Sequence, residues 1–229
     1  MSVPVVAREV FGDALPMAEG YATLLAGAGV ERGLIGPREA DRLWDRHLLN
    51  CAAVAEIIMP DAEVIDLGSG AGLPGIVLGI IRPDLSITLL EPLLRRVNFL
   101  SECVAELGLQ NVTVRRARAE EVAGSLSGDV VTARAVAPLD RLLRWGLPLL
   151  GPGGELLAFK GERAGAELEA AESALRSFGV RTAELLQVGH GKVEPPTTIV
   201  RVVAGRPPAR AKGSRRGGGR RRGERGRKR

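Results

Sequence analysis

The run Val64-Ile-Asp-Leu-Gly-Ser-Gly-Ala-Gly-Leu-Pro-Gly75 is the part of the sequence whose residue types and spacing speak most directly of chemistry. An apolar, strand-like stretch ends on Asp66, and Gly68, Gly70 and Gly72 then alternate with other residues. Glycines placed this way let the backbone come close to a ligand. Pro74 suits the first turn of a helix, where its missing amide hydrogen costs nothing. The unbonded N–H groups of that turn would face the same crevice. A second strand-like stretch ends on Glu91, about twenty residues later, where an acidic side chain can hold both hydroxyls of a ribose. The combination points to an adenosine-containing cofactor held at Gly68, Gly70 and Glu91.

Gly70-Ala-Gly-Leu-Pro-Gly75 also satisfies G-x-G-x-x-G, the dinucleotide fingerprint. An NAD-type oxidoreductase is nevertheless the weaker reading. The chain is short for a separate substrate domain, and its only tyrosine, Tyr21, has no lysine four residues on to complete a dehydrogenase acid/base pair. Leu150-Gly-Pro-Gly-Gly-Glu155 is a turn common before the fifth strand of S-adenosylmethionine (AdoMet) methyltransferases. AdoMet brings no pyrophosphate to a helix N-terminus, so Asp66 can face its cationic methionine half without repulsion. AdoMet is the expected cofactor.

The elements that must position these residues alternate between strand and helix from residue 63 onward. Strands are expected at Glu63–Leu67, Ser86–Glu91, Val112–Arg116, Asp129–Arg134, Glu155–Lys160, Arg181–Val188 and Thr197–Val203. Helices are expected at Pro74–Ile81, Leu93–Leu107, Glu120–Leu126, Pro138–Leu150 and Arg163–Phe178. Such alternation builds a parallel α/β sheet. The last two strands have only a loop between them and should form an antiparallel hairpin. Before residue 63 the pattern is helical. Met17–Leu25 is a short apolar segment broken by Gly27, Gly29 and Gly33, and Pro37–Ile58 is a longer helix with Trp44, Leu48, Cys51, Ala55 and Ile58 on one face. Arg38, Arg42 and Arg46, spaced by four, form a separate basic stripe that suits phosphates or simply water. Arg134 ends the fourth strand at the crevice, where it would touch cofactor or substrate. Lys160 ends the fifth, where it could meet a phosphate or close the sheet edge.

Of the 229 residues, 32 are Lys or Arg and 27 are Asp or Glu, a net charge of +5. Residues 205–229 hold twelve of the basic residues and a single acid, Glu224, leaving 20 basic against 26 acidic residues in 1–204. The chain thus divides into a helical N-terminal extension (1–60), a cofactor-binding domain (61–204) and a basic Gly/Arg-rich tail (205–229) expected to be disordered. A tail of +11 reads as a solubilising end or, the favoured reading, as an arm for sequence-independent capture of a polyanion. Two cysteines, Cys51 and Cys103, are too few for a disulfide scaffold, and two histidines without ligand spacing argue against a metal. No apolar run approaches the ~20 residues of a membrane span, and Met1–Phe11 has no signal-peptide pattern. A cytoplasmic, reduced protein is expected, and nothing calls for more than a monomer. Aromatic residues are only 3% of the chain, too few for broad stacking on single-stranded RNA.

Asp66–Gly75, Arg82-Pro-Asp84, Arg96-Val-Asn-Phe-Leu100, Arg118-Ala-Glu-Glu121, Arg134-Ala135 and Phe159-Lys-Gly161 occur in that order, preceded by Arg46-His47. Together they resemble the bacterial small-subunit ribosomal RNA guanine-N7 methyltransferase G family, also called glucose-inhibited division protein B. The resemblance runs from residue 15 to residue 203 and leaves the basic tail outside. It implies a seven-stranded, Rossmann-like class I methyltransferase fold and AdoMet contacts at Gly68, Leu73, Ala119, Glu120 and Arg134. It further implies RNA or active-site contact at Arg46 and His47, although His47, beside the apolar face of its helix, could equally be a satisfied, partly buried histidine. The implied target is a guanine in the ribosomal decoding region, presented as rRNA or as the assembled subunit.

The residues agree with that chemistry. Methylation of pyrimidine C5 needs a cysteine nucleophile, usually after proline, whereas Cys51 follows Asn50 and Cys103 follows Glu102. Exocyclic amine methylases carry Pro-Pro before an aromatic residue, and neither Pro195-Pro196 nor Pro207-Pro208 has one. Guanine N7 offers a lone pair with no proton to remove, so positioning carries most of the catalysis. The alternative from another class is a non-catalytic RNA- or ribosome-binding protein that keeps the pocket as scaffold.

Overall fold

The computed structural model describes residues 2–205. The basic tail beyond Gly205 lies outside the described residues. Seven strands, β1 (Glu63–Leu67), β2 (Ser86–Leu90), β3 (Val112–Arg115), β4 (Gly128–Arg134), β5 (Leu150–Lys160), β6 (Thr182–Val188) and β7 (Thr197–Val203), form one sheet in the order β3-β2-β1-β4-β5-β7-β6. The pairs from β3 through β5 are parallel, while β7 runs antiparallel to both β5 and β6. The final hairpin therefore inserts its second strand against β5.

Strand periodicity divides the core between the two faces. Val64, Val130 and Leu157 point into one cluster, and their neighbours Ile65, Val131 and Leu156 point into the other. The first cluster contains α4 (Gly75–Ile81) and α5 (Leu94–Glu106) together with the N-terminal helices α1 (Val5–Phe11) and α2 (Leu15–Leu24). The N-terminal segment thus shares its core with the sheet, through Phe11, Tyr21, Leu48 and Val54. The second cluster lies under α6 (Ala119–Val122), α7 (Leu139–Gly146), α8 (Ala164–Ala170) and α9 (Glu172–Ser177).

Several local features differ from the sequence pattern. Gly27 and Gly29 do not break the second helix. It continues through a π-helical turn, Leu25–Gly29, in which Gly29 is buried and a Cβ there would lie 3.7 Å from Phe99, so packing outweighs glycine's low helix propensity. The Pro37–Ile58 segment is helical but not a regular α-helix. A 3₁₀ turn (Pro37–Arg42), a π-helical stretch (Leu43–Leu49), the short α3 (Asn50–Ala52) and a second 3₁₀ turn (Ala53–Ile57) follow one another. The four-residue spacing of Arg38, Arg42 and Arg46 therefore does not make one stripe, because four residues overshoot a 3₁₀ turn by about a third of a turn. The fifth strand begins at Leu150 rather than Glu155, taking in the Gly-rich turn with a register shift against β4 between Gly128 and Val130. The helix expected at 163–178 is divided at Ala171 into α8 and α9.

Candidate active site

The strand order reverses at β1, whose neighbours are β2 and β4. In open α/β sheets the crevice beyond the strand ends at such a switch point is where ligands bind. Here it gathers Gly68–Gly72 after β1, Glu91 after β2 and Arg134 at the end of β4. Gly68, Gly70 and Gly72 adopt φ of +69°, +60° and +98°, a region that costs other residues energy. Their surroundings differ. A Cβ on Gly68 would press on Val136 at 3.0 Å, and one on Gly72 would meet Ile76 at 2.5 Å and the Tyr21 hydroxyl at 2.8 Å. One on Gly70 would meet only the Gly68 carbonyl, at 3.7 Å. The middle glycine thus opens away from the protein and leaves a backbone-lined cradle that any side chain would fill.

Three buried polar groups shape that cradle from beneath. The Asp66 carboxylate accepts the Gly75 N–H through Oδ2 at 3.1 Å and the Thr132 hydroxyl through Oδ1 at 3.0 Å. It thereby ties β1 to the start of α4 and to β4. Burial raises its pKa to about 6, against the opposing pull of those two hydrogen bonds. Glu91 is 1% exposed; its Oε2 accepts the Gly70 N–H and its Oε1 the Leu93 N–H, each at 3.0 Å, with Arg96 Nη1 at 3.5 Å. The strand-end acid therefore sits in register with the glycine turn and holds it in place. Tyr21, fully buried, donates its hydroxyl to the Ala71 carbonyl at 2.7 Å. The sequence shows Tyr21 only as a lone tyrosine in an apolar helix, and nothing in the spacing predicts its contact fifty residues away.

Arg134 is the centre of a second cluster. Its Nη2 donates to the Arg46 carbonyl at 2.7 Å and to His47 Nδ1 at 2.8 Å, and its Nη1 donates to Cys51 Sγ at 2.8 Å. His47 Nε2 in turn lies 3.0 Å from Glu39 Oε2. An arginine only donates, so His47 Nδ1 is the acceptor and Nε2 carries the proton toward Glu39. Burial, and then the positive charge of Arg134, lower the His47 pKa, with Glu39 opposing. Cys51 is completely buried and burial raises its pKa, so it serves as a neutral acceptor rather than a nucleophile. Of the five N–H groups of Arg134, three are used in these bonds, leaving two without a partner among the described residues. The next residue, Ala135, is exposed and held at φ +54°, a strained backbone at the point where the chain leaves the sheet.

Arg134 also lies on the wall of a cleft of about 1610 Å³. Arg42, Arg46 and Asn50 line it from the N-terminal segment, Lys160 from β5, and residues 193–198 from the β6–β7 loop and the start of β7. Arg46 faces the cleft while paired with Glu39 at 3.0 Å, and Arg38 is exposed but not part of the lining. Two side chains considered for RNA contact are engaged within the protein. His47 has both ring nitrogens engaged by Glu39 and Arg134, so it is not offered to RNA as a free contact. Lys160 is buried at 7% side-chain exposure, paired with Glu167 at 2.7 Å and bonded to the Ala137 carbonyl at 3.0 Å, so its charge is spent inside the protein. Ala119 is buried at the start of α6, Glu120 beside it is exposed, and Leu73 is half-buried in the glycine turn. His190 is exposed in the β6–β7 loop. Among the described residues no group of three or more potential ligands could hold a metal, and no helix is long and apolar enough to cross a membrane.

Comparison with known proteins fits this geometry. Residues 14–194 match the family model described as "GidB: rRNA small subunit methyltransferase G". A protein named Ribosomal RNA small subunit methyltransferase G from Thermobifida fusca is 60% identical over 97% of this chain and 96% of its own length. One of the same name from Streptomyces coelicolor is 58% identical over 96% of this chain and 95% of its own. Among solved structures, the S-adenosylmethionine-dependent methyltransferase SibL aligns with TM-score 0.57 at 22% identity, covering 81% of this chain and 62% of that one. A SAM-dependent O-methyltransferase from Thermotoga maritima aligns with TM-score 0.55 at 12% identity, covering 70% and 66% respectively. At such identities the two structures speak for the fold alone.

Proposed function

The chain belongs to the rRNA small subunit methyltransferase G family, and from that membership we propose that it transfers a methyl group from AdoMet to N7 of one guanine in small-subunit rRNA. It is a class I methyltransferase by fold and an rRNA methyltransferase by family. The observation that supports the finer reading is the juxtaposition of an open glycine cradle and an arginine with unspent donors at the ends of adjacent strands, β1 and β4.

When bound, AdoMet supplies a methyl group made electrophilic by its cationic sulfur. Gly68, Gly70 and Leu73 bring backbone to it, Glu91 supports the turn from beneath and would reach the ribose hydroxyls only by exchanging its Gly70 or Leu93 N–H bond, and Ala119 and Glu120 follow β3 at the strand ends. Arg134 holds out two N–H groups that match oxygen acceptors on a guanine or a phosphate. Arg42 and Arg46 extend that donor surface along the cleft. N7 attacks with a lone pair that carries no proton, so the protein has no base to supply. It must hold N7 in line with the methyl group and keep water out, and proximity does most of the work. The buried titratable groups fit this division of labour: Asp66 is tied to Gly75 and Thr132, and His47 to Glu39 and Arg134.

Two measurements test the reading. Calorimetry should show AdoMet binding and no NAD binding; the reverse would restore the oxidoreductase. Labelled methyl from AdoMet should pass to small ribosomal subunits from a strain lacking this modification, and Arg134→Gln should lower kcat/KM at least tenfold, the effect of losing about 1.4 kcal/mol of transition-state binding. Tight AdoMet binding without transfer would instead favour a non-catalytic ribosome-binding role.

A further inference from the structure

Glu39 has no place in the motifs of the site. It lies eight residues before His47, in the 3₁₀ turn that opens the helical segment, and its side chain is 31% exposed. Its Oε2 is nevertheless the only hydrogen-bond partner of His47 Nε2 among the described residues, and the far side of the same ring accepts from Arg134. Neutral imidazole carries one ring proton. With that proton on Nε2, Nδ1 presents a lone pair to the guanidinium; with it on Nδ1, two N–H groups would face each other at 2.8 Å. A carboxylate that accepts from Nε2 selects the first tautomer. The remaining anchors of Arg134 are a main-chain carbonyl, which can only accept, and a buried thiol, whose S–H is free to rotate away from the guanidinium.

We infer that Glu39 is a positioning residue for methyl transfer, acting through His47 to hold the Arg134 guanidinium aimed into the cleft with two N–H groups free. The inference rests on the reading of Arg134 as a substrate- or cofactor-contacting residue. Glu39 touches neither ligand. It fixes the imidazole tautomer, the imidazole fixes Nη2, and the orientation of the guanidinium follows. Glu39 also bonds Arg46 Nη1 at 3.0 Å, and an effect exerted through that contact is the competing explanation.

A double-mutant cycle on methyl transfer to small ribosomal subunits separates the two. Glu39→Ala should lower kcat/KM about tenfold, as expected for losing the orienting hydrogen bond of a charged group. Glu39→Gln keeps a carbonyl acceptor for the Nε2 proton and should recover most of that loss. In His47→Asn the side-chain Oδ1 stands near the place of Nδ1 and accepts from Arg134 without any tautomer to select. In that background Glu39→Ala should therefore cost less than twofold. A tenfold penalty that persists in the His47→Asn background would assign Glu39 to Arg46 and overturn the inference, as would Glu39→Ala behaving like wild type. Arg134→Gln serves as the reference. If it leaves transfer intact, the reading of the site itself fails; if it impairs transfer while Glu39→Ala does not, only the role of Glu39 fails. Because Glu39 is partly exposed, thermal unfolding of the two Glu39 variants should stay close to wild type, and that of each double variant close to its His47→Asn parent.

Discussion

Asp66 combines a place in the most informative motif with a buried, hydrogen-bonded position, and its ionisation should be visible in stability. Its folded-state pKa of about 6 is above the ordinary carboxylate range. The folded protein therefore binds more protons than the unfolded chain between about pH 4 and 6, and the contribution of Asp66 to stability is lost as pH rises through that window. Asp66→Asn can still accept from Gly75 and meet the Thr132 hydroxyl, but it cannot ionise. The unfolding free energy of the variant should gain on wild type by on the order of 3 kcal/mol as pH rises from 4 to 7. A difference independent of pH would mean that Asp66 titrates normally. The glycines give a second residue-level test. Gly70→Ala adds a methyl to open space, so it should weaken AdoMet binding about tenfold with a strain cost of about 1–2 kcal/mol. Gly72→Ala drives its methyl into Ile76 and the Tyr21 hydroxyl, and should lower Tm by on the order of 5 °C through overpacking. Equal effects of the two substitutions on binding and Tm would contradict the cradle.

The elements show what a sequence reveals and what it hides. β1 and β7 keep the bounds read from alternation and turn residues, because strands buried on both faces leave little freedom at their ends. The helical segment before β1 does not follow its apparent period. Trp44, Leu48 and Cys51 are all buried, yet the backbone reaches that burial through 3₁₀ and π-helical stretches that shift which charged residues share a face. That shift brings Glu39 onto His47 and leaves Arg38 outside the cleft. It depends on packing against α2 and the sheet and has no signature in residue spacing. In the same way the glycine turn, Glu91 and Arg134 are legible because strand ends put them there, while Tyr21, Thr132 and Cys51 reach the site from distant sequence. Arg82 shows how the segment is fastened: its guanidinium donates to the carbonyls of Ala55, Ile58 and Met59 and pairs with Asp84. It thus satisfies the otherwise unbonded end of the helical segment. Arg82→Ala should cost about 2 kcal/mol and speed hydrogen exchange from 55 to 59 ahead of the sheet. Unchanged exchange there would remove Arg82 from this role.

Across the whole molecule the net charge of +5 describes no single surface, since residues 1–204 are acidic and residues 205–229 carry +11. On the proposed function the folded part meets rRNA through local arginines that line the cleft, such as Arg42, Arg46 and Arg134, because its overall charge repels a polyanion. The tail can supply the long-range attraction that the body lacks. Deleting 205–229 should weaken binding to small ribosomal subunits at low salt and flatten the dependence of log K on log salt, with AdoMet affinity unchanged. An unaltered salt slope would leave the tail without a role in RNA capture.

The central claim concerns one atom of one base, and nucleoside analysis tests it most directly. Small ribosomal subunits from a strain lacking the modification, incubated with the protein and AdoMet, should yield N7-methylguanine at one site, to no more than one equivalent per subunit. A methyl group found on another base or another guanine atom, or none at all despite bound AdoMet, would contradict the account.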